Sequence, residues 1–187
     1  MIEGVSVDLR NMDESDIEQV RLWRNSKEVS EHMLSRNVIS HEQQSKWFES
    51  AKNNTTQLYY IIQAKNGNKL GVVNFSSIDN ESRTAEPGLY IGEVKERNSL
   101  FGMEAYYLLL KYGFEQLNLD KVYGTALSSN PTALKMNKSF GYNVEEIIQN
   151  GITIEGTPRE VVKLYLLKKD FYVSPMAIFF QRSPRNI

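Results

Sequence analysis

The chain has 187 residues, 41% hydrophobic and 24% charged, with a net charge of -1. That is ordinary globular composition, long enough for one domain with a proper core, and it gives no general drive toward nucleic acid. With no cysteine, and only His32 and His41 as imidazoles, the chain cannot form disulfides or thiolate sites and offers no basis for a histidine-rich metal centre. No apolar run approaches the roughly 20 residues that cross a bilayer. MIEGVSVDLR lacks the basic start and apolar stretch of a secretion signal, so a cytoplasmic address with no membrane partner is expected.

Taken in order, residues 5–11 alternate apolar and polar and predict a first strand. Asp13 is placed to cap a helix carrying Ile17, Val20 and Trp23 at helical spacing. A short helix and a loop are expected across 27–39. Ser40 and Gln43 then form a capping-box pair before a helix with Trp47, Phe48 and Ala51. From Gln57 the period becomes two. LYYIIQA and KLGVVNFSSI flank Asn66-Gly67, a strong hairpin signal, and Asp79-Asn80 turns the chain into a third strand, RTAEPGLYIG. Pro87 cannot donate a ladder hydrogen bond, so a bulge or an edge is expected there.

The polar loop EVKERNS opens onto the longest helix, whose buried stripe is Phe101, Ala105, Leu108, Leu109 and Tyr112. LDKVYGTAL reads as the next strand. Asn130-Pro131 marks a helix start and Gly141 its end, with closing strands near 142–154 and 159–168. The order predicts an α+β fold, a mixed and largely antiparallel sheet flanked by helices with one crossover. Residues 1–170 form the expected domain. The tail, 171–187, carries Met176, Ala177, Ile178, Phe179 and Phe180 and is expected to dock on the domain or on a second subunit, which makes a homodimer a candidate assembly.

This order resembles the GCN5-related N-acetyltransferases (GNATs), and three motifs carry the resemblance. Arg97-Asn98-Ser99-Leu100-Phe101-Gly102 is similar to the family's phosphate loop, Arg or Gln, two residues, Gly, one residue, Gly or Ala, except that Leu100 stands where glycine is usual. Such a loop turns successive backbone N–H groups at a helix N-terminus toward the CoA pyrophosphate. Asn130-Pro131-Thr132-Ala133 with Phe140-Gly141-Tyr142 resembles the family's Asn-x-x-Ala helix and its Gly-Phe turn. Many members carry a tyrosine seven positions after that asparagine as proton donor to the thiolate; Asn137 stands there in this chain. Trp23-Arg24-Asn25-Ser26, with Ile39-Ser40 and Trp47-Phe48, resembles the branch that acetylates UDP-linked 4-amino-4,6-dideoxy sugars on the route to pseudaminic acid.

The resemblance implies an acetyl-CoA-dependent N-acetyltransferase. Acetyl-CoA would be held by Leu89, Tyr90 and Ile91 of the strand, by Arg97, Asn98, Ser99, Leu100, Phe101, Gly102 and Met103 of the loop and helix start, and by Asn130, Lys135, Asn137 and Lys138. Glu86, just upstream of the strand Gly88-Leu89-Tyr90-Ile91-Gly92 that leads into the phosphate loop, is the candidate general base, acting through water; its bland alternative is a solvated strand residue paired with Arg83. Trp23, Arg24 and Asn25 would meet the acceptor, expected to be the amine of a nucleotide-linked amino sugar. Trp23 also fits a core position, and Tyr90 packing within the sheet. A protein N-terminal or polyamine acetyltransferase, or an inactive acyl-CoA-binding module, remains an alternative. Ten acidic and seven basic side chains in residues 1–54 make too mild an acidic face to select a polyamine.

Overall fold

The computed structural model describes residues 1–182 apart from Asn98. The expected contact of Asn98 with phosphate therefore lies outside the described residues. Among the described residues eight strands form one sheet: β1 (Ile2–Glu3), β2 (Val7–Asn11), β3 (Leu58–Ala64), β4 (Lys69–Asp79), β5 (Thr84–Ile91), β6 (Lys121–Leu127), β7 (Asn143–Ile154) and β8 (Thr157–Leu167). Their spatial order is β1-β2-β3-β4-β5-β6-β8-β7. All neighbours are antiparallel except β5 and β6, joined by the crossover through a helix. The α+β expectation is met, and no helix among the described residues is long and apolar enough to cross a membrane.

Among the described residues seven α-helices cover the sheet: α1 (Ile17–Asn25), α2 (Lys27–Ser30), α3 (His41–Lys52), α4 (Phe101–Glu115), α5 (Pro131–Ser139), α6 (Lys168–Tyr172) and α7 (Pro175–Arg182). The alternation of side chains along a strand decides which helix each face meets. Ile61 and Val72 face one way and pack with Val20 and Trp23 of α1 and Val29 of α2. Ile62, Val73 and Phe75 face the other way and pack with Ala105, Leu109 and Phe114 of α4. α5 lies on this second face too, through Ala133, Leu134, Met136 and the buried Phe140 that follows it.

The local start signals are made as the sequence chemistry predicts. Asp13 caps a single 3₁₀ turn (Glu14–Asp16) that leads into α1, Ser40 and Gln43 form a reciprocal capping box, and Asn130 accepts from the Ala133 N–H. β8 runs directly into α6, so residue 170 falls inside a helix. Phe171 and Ala177 are fully buried, and Phe171 and Phe180 both stack against Tyr107 of α4.

Candidate active site

The parallel β5–β6 pair opens almost as soon as it forms. Its register holds only Thr84 with Lys121 and Ala85 with Val122, whereas β5 stays paired to β4 as far as Ile91. Pro87 lies two residues past the last β5–β6 pair, where a strand with no N–H to donate meets an edge at no cost. From there β5 and β6 diverge, and their facing backbone groups are left unpaired by the sheet. A cavity of about 1190 Å³ runs through the gap, lined by Pro87 to Ile91 on one strand and Gly124 to Leu127 on the other. It is large enough for a bulky ligand and a smaller one together.

One mouth of the cavity lies at the N-terminus of α4. The first N–H groups of a helix have no partner within it, and they carry partial positive charge. Here they belong to Phe101, Gly102 and Met103, and the Phe101 N–H makes a long bond of 3.4 Å to the Ser99 hydroxyl. The Arg97 guanidinium is fixed alongside by a 3.2 Å bond to the Ile91 carbonyl. Gly102 sits so close to β5 that a Cβ would lie 3.3 Å from Ile91. Leu100 takes φ -74 and ψ -3, an ordinary right-handed conformation, which explains how the loop dispenses with glycine there.

Leu89, Tyr90, Ile91, Arg97, Ser99, Gly102, Met103, Asn130, Lys135 and Asn137 all line the cavity. Three expected contacts are not brought to it. Leu100 points its side chain to solvent, Phe101 packs against the core, and Lys138 is exposed on α5. Helix geometry is the reason, since only some positions of a turn can face one wall.

The opposite mouth lies between α1 and the segment 31–40, which closes over it. The Trp23-Arg24-Asn25 triplet divides three ways. Trp23 is a core residue, 4% exposed, with its ring against Gly92 and its indole N–H donating to Glu93 at 3.0 Å. A Cβ on Gly92 would meet that ring at 2.2 Å, so glycine is required for the approach. Asn25 turns away from the cavity and binds the backbone of Ile39. Arg24 alone lines the cavity, and the acceptor roles expected of Trp23 and Asn25 give way to structural ones.

Arg24 and Tyr90 are the informative pair. Arg24 and Tyr90 both line this cavity, and Arg24 Nη1 and the Tyr90 hydroxyl are both buried and without a hydrogen-bond partner among the described residues. Burial pushes the Tyr90 hydroxyl well above the usual phenol range, with the Arg24 charge pulling the other way. Two buried polar groups without partners are costly. Together they leave two hydrogen-bond donors for which the described residues supply no acceptor.

Proton acceptors are placed less centrally. Glu86 stands opposite Ser76 in the β4–β5 ladder, on the same sheet face as Tyr90. Ser76 lines the cavity, whereas Glu86 is exposed and does not itself line it. Arg83, offered as its partner, instead pairs with Asp120 at 2.8 Å. Sequence reasoning left His32 open between an exposed and a functional role and passed over Glu28, which lines the acceptor mouth with it four residues away, and the Tyr106–Tyr142 pair beneath the gap. Helical spacing could have joined the first two, whereas the tyrosines carry no local signal.

A model of the family described as an acetyltransferase (GNAT) domain matches residues 6–143. The spermidine N(1)-acetyltransferase of Escherichia coli (strain K12) is 22% identical over 166 residues, 89% of this chain and 88% of that one. An uncharacterized N-acetyltransferase, p20, of Bacillus licheniformis is 26% identical over 113 residues, 60% of this chain and 63% of that one. Among solved structures, spermidine N-acetyltransferase from Vibrio cholerae in complex with CoA and spermine superposes with a TM-score of 0.84 at 19% identity, covering 89% of this chain and 98% of that one. At that identity the structural likeness speaks for the fold. The relatives' names lean toward polyamine acceptors and away from the nucleotide amino sugar.

Proposed function

We propose an acceptor from the premise that this chain belongs to the acetyltransferase (GNAT) domain family. As a member it is an N-acetyltransferase that uses acetyl-CoA as co-substrate. In our reading the acetyl group goes to the primary amine of a small molecule that also carries an anionic group, as a nucleotide-linked amino sugar does. The carrying observation is the unpartnered pair, Arg24 Nη1 and the Tyr90 hydroxyl, buried in the wall that these residues give the acceptor half of the cavity. A phosphate or carboxylate oxygen satisfies both, since guanidinium and phenol each donate a hydrogen bond. A polycation offers the guanidinium no acceptor, although its ammonium groups can donate to the phenol oxygen.

In this reading the CoA pyrophosphate lies against the Gly102 and Met103 N–H groups and Arg97. The pantetheine follows the open edge of β5, whose free backbone groups from Leu89 to Ile91 pair with its amides. A β5 N–H then polarises the acetyl carbonyl where negative charge develops. The amine arrives from the α1 face and gives up a proton to water held between Ser76 and Glu86.

A second reading is favoured by the relatives, whose printed activity is on spermidine. A polyamine would lie along the acceptor mouth beside Glu28, the one carboxylate among the described residues lining the cavity. Both readings share the acetyl donor and differ in the role of Arg24. Nucleotide amino sugars, spermidine, spermine and N-terminal peptides are each offered with acetyl-CoA, with release of free thiol as the measure. Turnover on a nucleotide amino sugar, with Arg24→Ala raising its KM at least tenfold and leaving the KM for acetyl-CoA unchanged, supports the first (about 1.4 kcal/mol). Efficient transfer to spermidine, undiminished by Arg24→Ala and with no sugar accepted, replaces it with the second.

A further inference from the structure

We propose that Tyr106, hydrogen-bonded to Tyr142 behind it, is the proton donor to the departing thiolate of CoA. The inference depends on acetyl transfer alone and is the same for either acceptor.

Its basis is the division of the cavity by the sheet. Arg24, Glu28, His32 and Tyr90 belong to the half under α1 and segment 31–40, where the amine enters. The α4–α5 half receives CoA, so the C–S bond breaks toward that side. Among the described residues, the titratable groups lining this half are Arg97, Lys135 and Tyr106. Arg97 sits at the pyrophosphate end, and a guanidinium does not release its proton. Lys135 is exposed on α5. Tyr106 is 4% exposed, on the same face of α4 as Gly102 and one turn deeper, which carries it from the pyrophosphate end toward the sulfur.

Behind it the structure supplies a partner. The Tyr106 and Tyr142 hydroxyls are 2.8 Å apart, and the Tyr142 ring lies beneath Gly124, where β6 lines the gap. Burial pushes both phenols up, so both carry their protons at neutral pH. In the step, the amine nitrogen bonds to the acetyl carbon and the carbon–sulfur bond breaks. Sulfur takes the Tyr106 proton, and the Tyr142 hydroxyl donates to the oxygen left behind, stabilising charge in an apolar site. The proton shed by the nitrogen passes through water and restores the pair, so one hydrogen moves net from amine to CoA thiol.

The test is Tyr106→Phe, assayed with acetyl-CoA and with the corresponding acetyl selenoester of CoA, whose selenolate leaves without needing a proton. With acetyl-CoA, kcat is expected to fall about 10²-fold while the KM for acetyl-CoA stays within about twofold. With the selenoester the loss shrinks to about threefold or less. The ratio of the two losses does not depend on how much of the variant folds. Tyr142→Phe, which removes only the positioning hydroxyl, is expected to show the same donor dependence at smaller amplitude. An equal loss with both donors, or turnover of Tyr106→Phe within about twofold of the parent on acetyl-CoA, overturns the assignment.

Discussion

Asn25 and Ile39 hold each other by two hydrogen bonds. The carboxamide NH₂ donates to the Ile39 carbonyl and its oxygen accepts from the Ile39 N–H, both at 2.8 Å. The pairing copies a strand ladder with a side chain as one strand. It pins the end of the segment that closes the acceptor mouth, while Ser26 caps α2 at the other end.

Asn25→Ala should therefore act on the acceptor and spare the donor. Two part-buried bonds are lost, at about 1 kcal/mol each. The expected result is a several-fold rise in acceptor KM with acetyl-CoA KM unchanged, and a stability loss of about 1–2 kcal/mol in denaturant. A parallel rise in both KM values would mean that the segment 31–40 also shapes the CoA half.

Glu86 gives a second test. Its exposed position opposite Ser76 demands a water relay, so Glu86→Gln is expected to lower kcat on the order of 10²-fold without weakening acetyl-CoA. Ser76→Ala should lose less, because water can shift to replace a hydroxyl. If Glu86→Gln turns over within about twofold of the parent across pH 6 to 9, the base role passes to Glu28 or His32, which line the acceptor mouth directly.

Acetyl-CoA bound only by the native chain must raise its apparent stability with concentration, by about 2.7 kcal/mol at 100 times Kd. Gly102→Val should abolish most of that gain. Its side chain would crowd Ile91, 3.3 Å from the Cβ position, and tilt the α4 N-terminus away from the pyrophosphate. The readout is the ligand-induced shift in Tm, so any loss in the ligand-free protein is subtracted. An undiminished shift would remove the α4 N-terminus from the binding site.

What could be read from the sequence was whatever chemistry is local. Asn66-Gly67, the Ser40–Gln43 box and Asn130-Pro131 fix their turns and caps within a few residues, and the two sheet faces follow from alternation. The helix start within residues 97–102 was legible for the same reason, and the right-handed φ of Leu100 shows why that loop can do without the usual glycine. Trp23 and Asn25 were misjudged because their partners are remote in the chain: Glu93 lies 70 residues from Trp23, and Ile39 lies 14 from Asn25. Tyr106 and Tyr142, 36 apart, meet only when α4 and the end of α5 fold onto one face. Side-chain geometry of that kind leaves no periodic trace.

The last prediction concerns acid. Asp16 is fully buried, yet its carboxylate meets Arg10 at 2.7 Å and Lys69 at 2.6 Å and accepts from the Asp13 N–H at 2.9 Å. Burial alone would push its pKa up. The bonds from Arg10, the Asp13 backbone and Lys69 outweigh that and hold the carboxyl below its usual 3.8. A depressed pKa contributes stability that is present above the unfolded value and is lost as pH falls through the folded one. Asp16→Asn leaves Arg10 and Lys69 facing a neutral group and should cost about 3 kcal/mol at pH 7, as expected for a broken buried pair. The cost should shrink as pH falls below about 4, because the parent loses the same interaction on protonation. Urea unfolding of both proteins at pH 7, 5 and 3.5 checks this: a difference that stays constant across the three would assign the effect to packing rather than to the charge on Asp16.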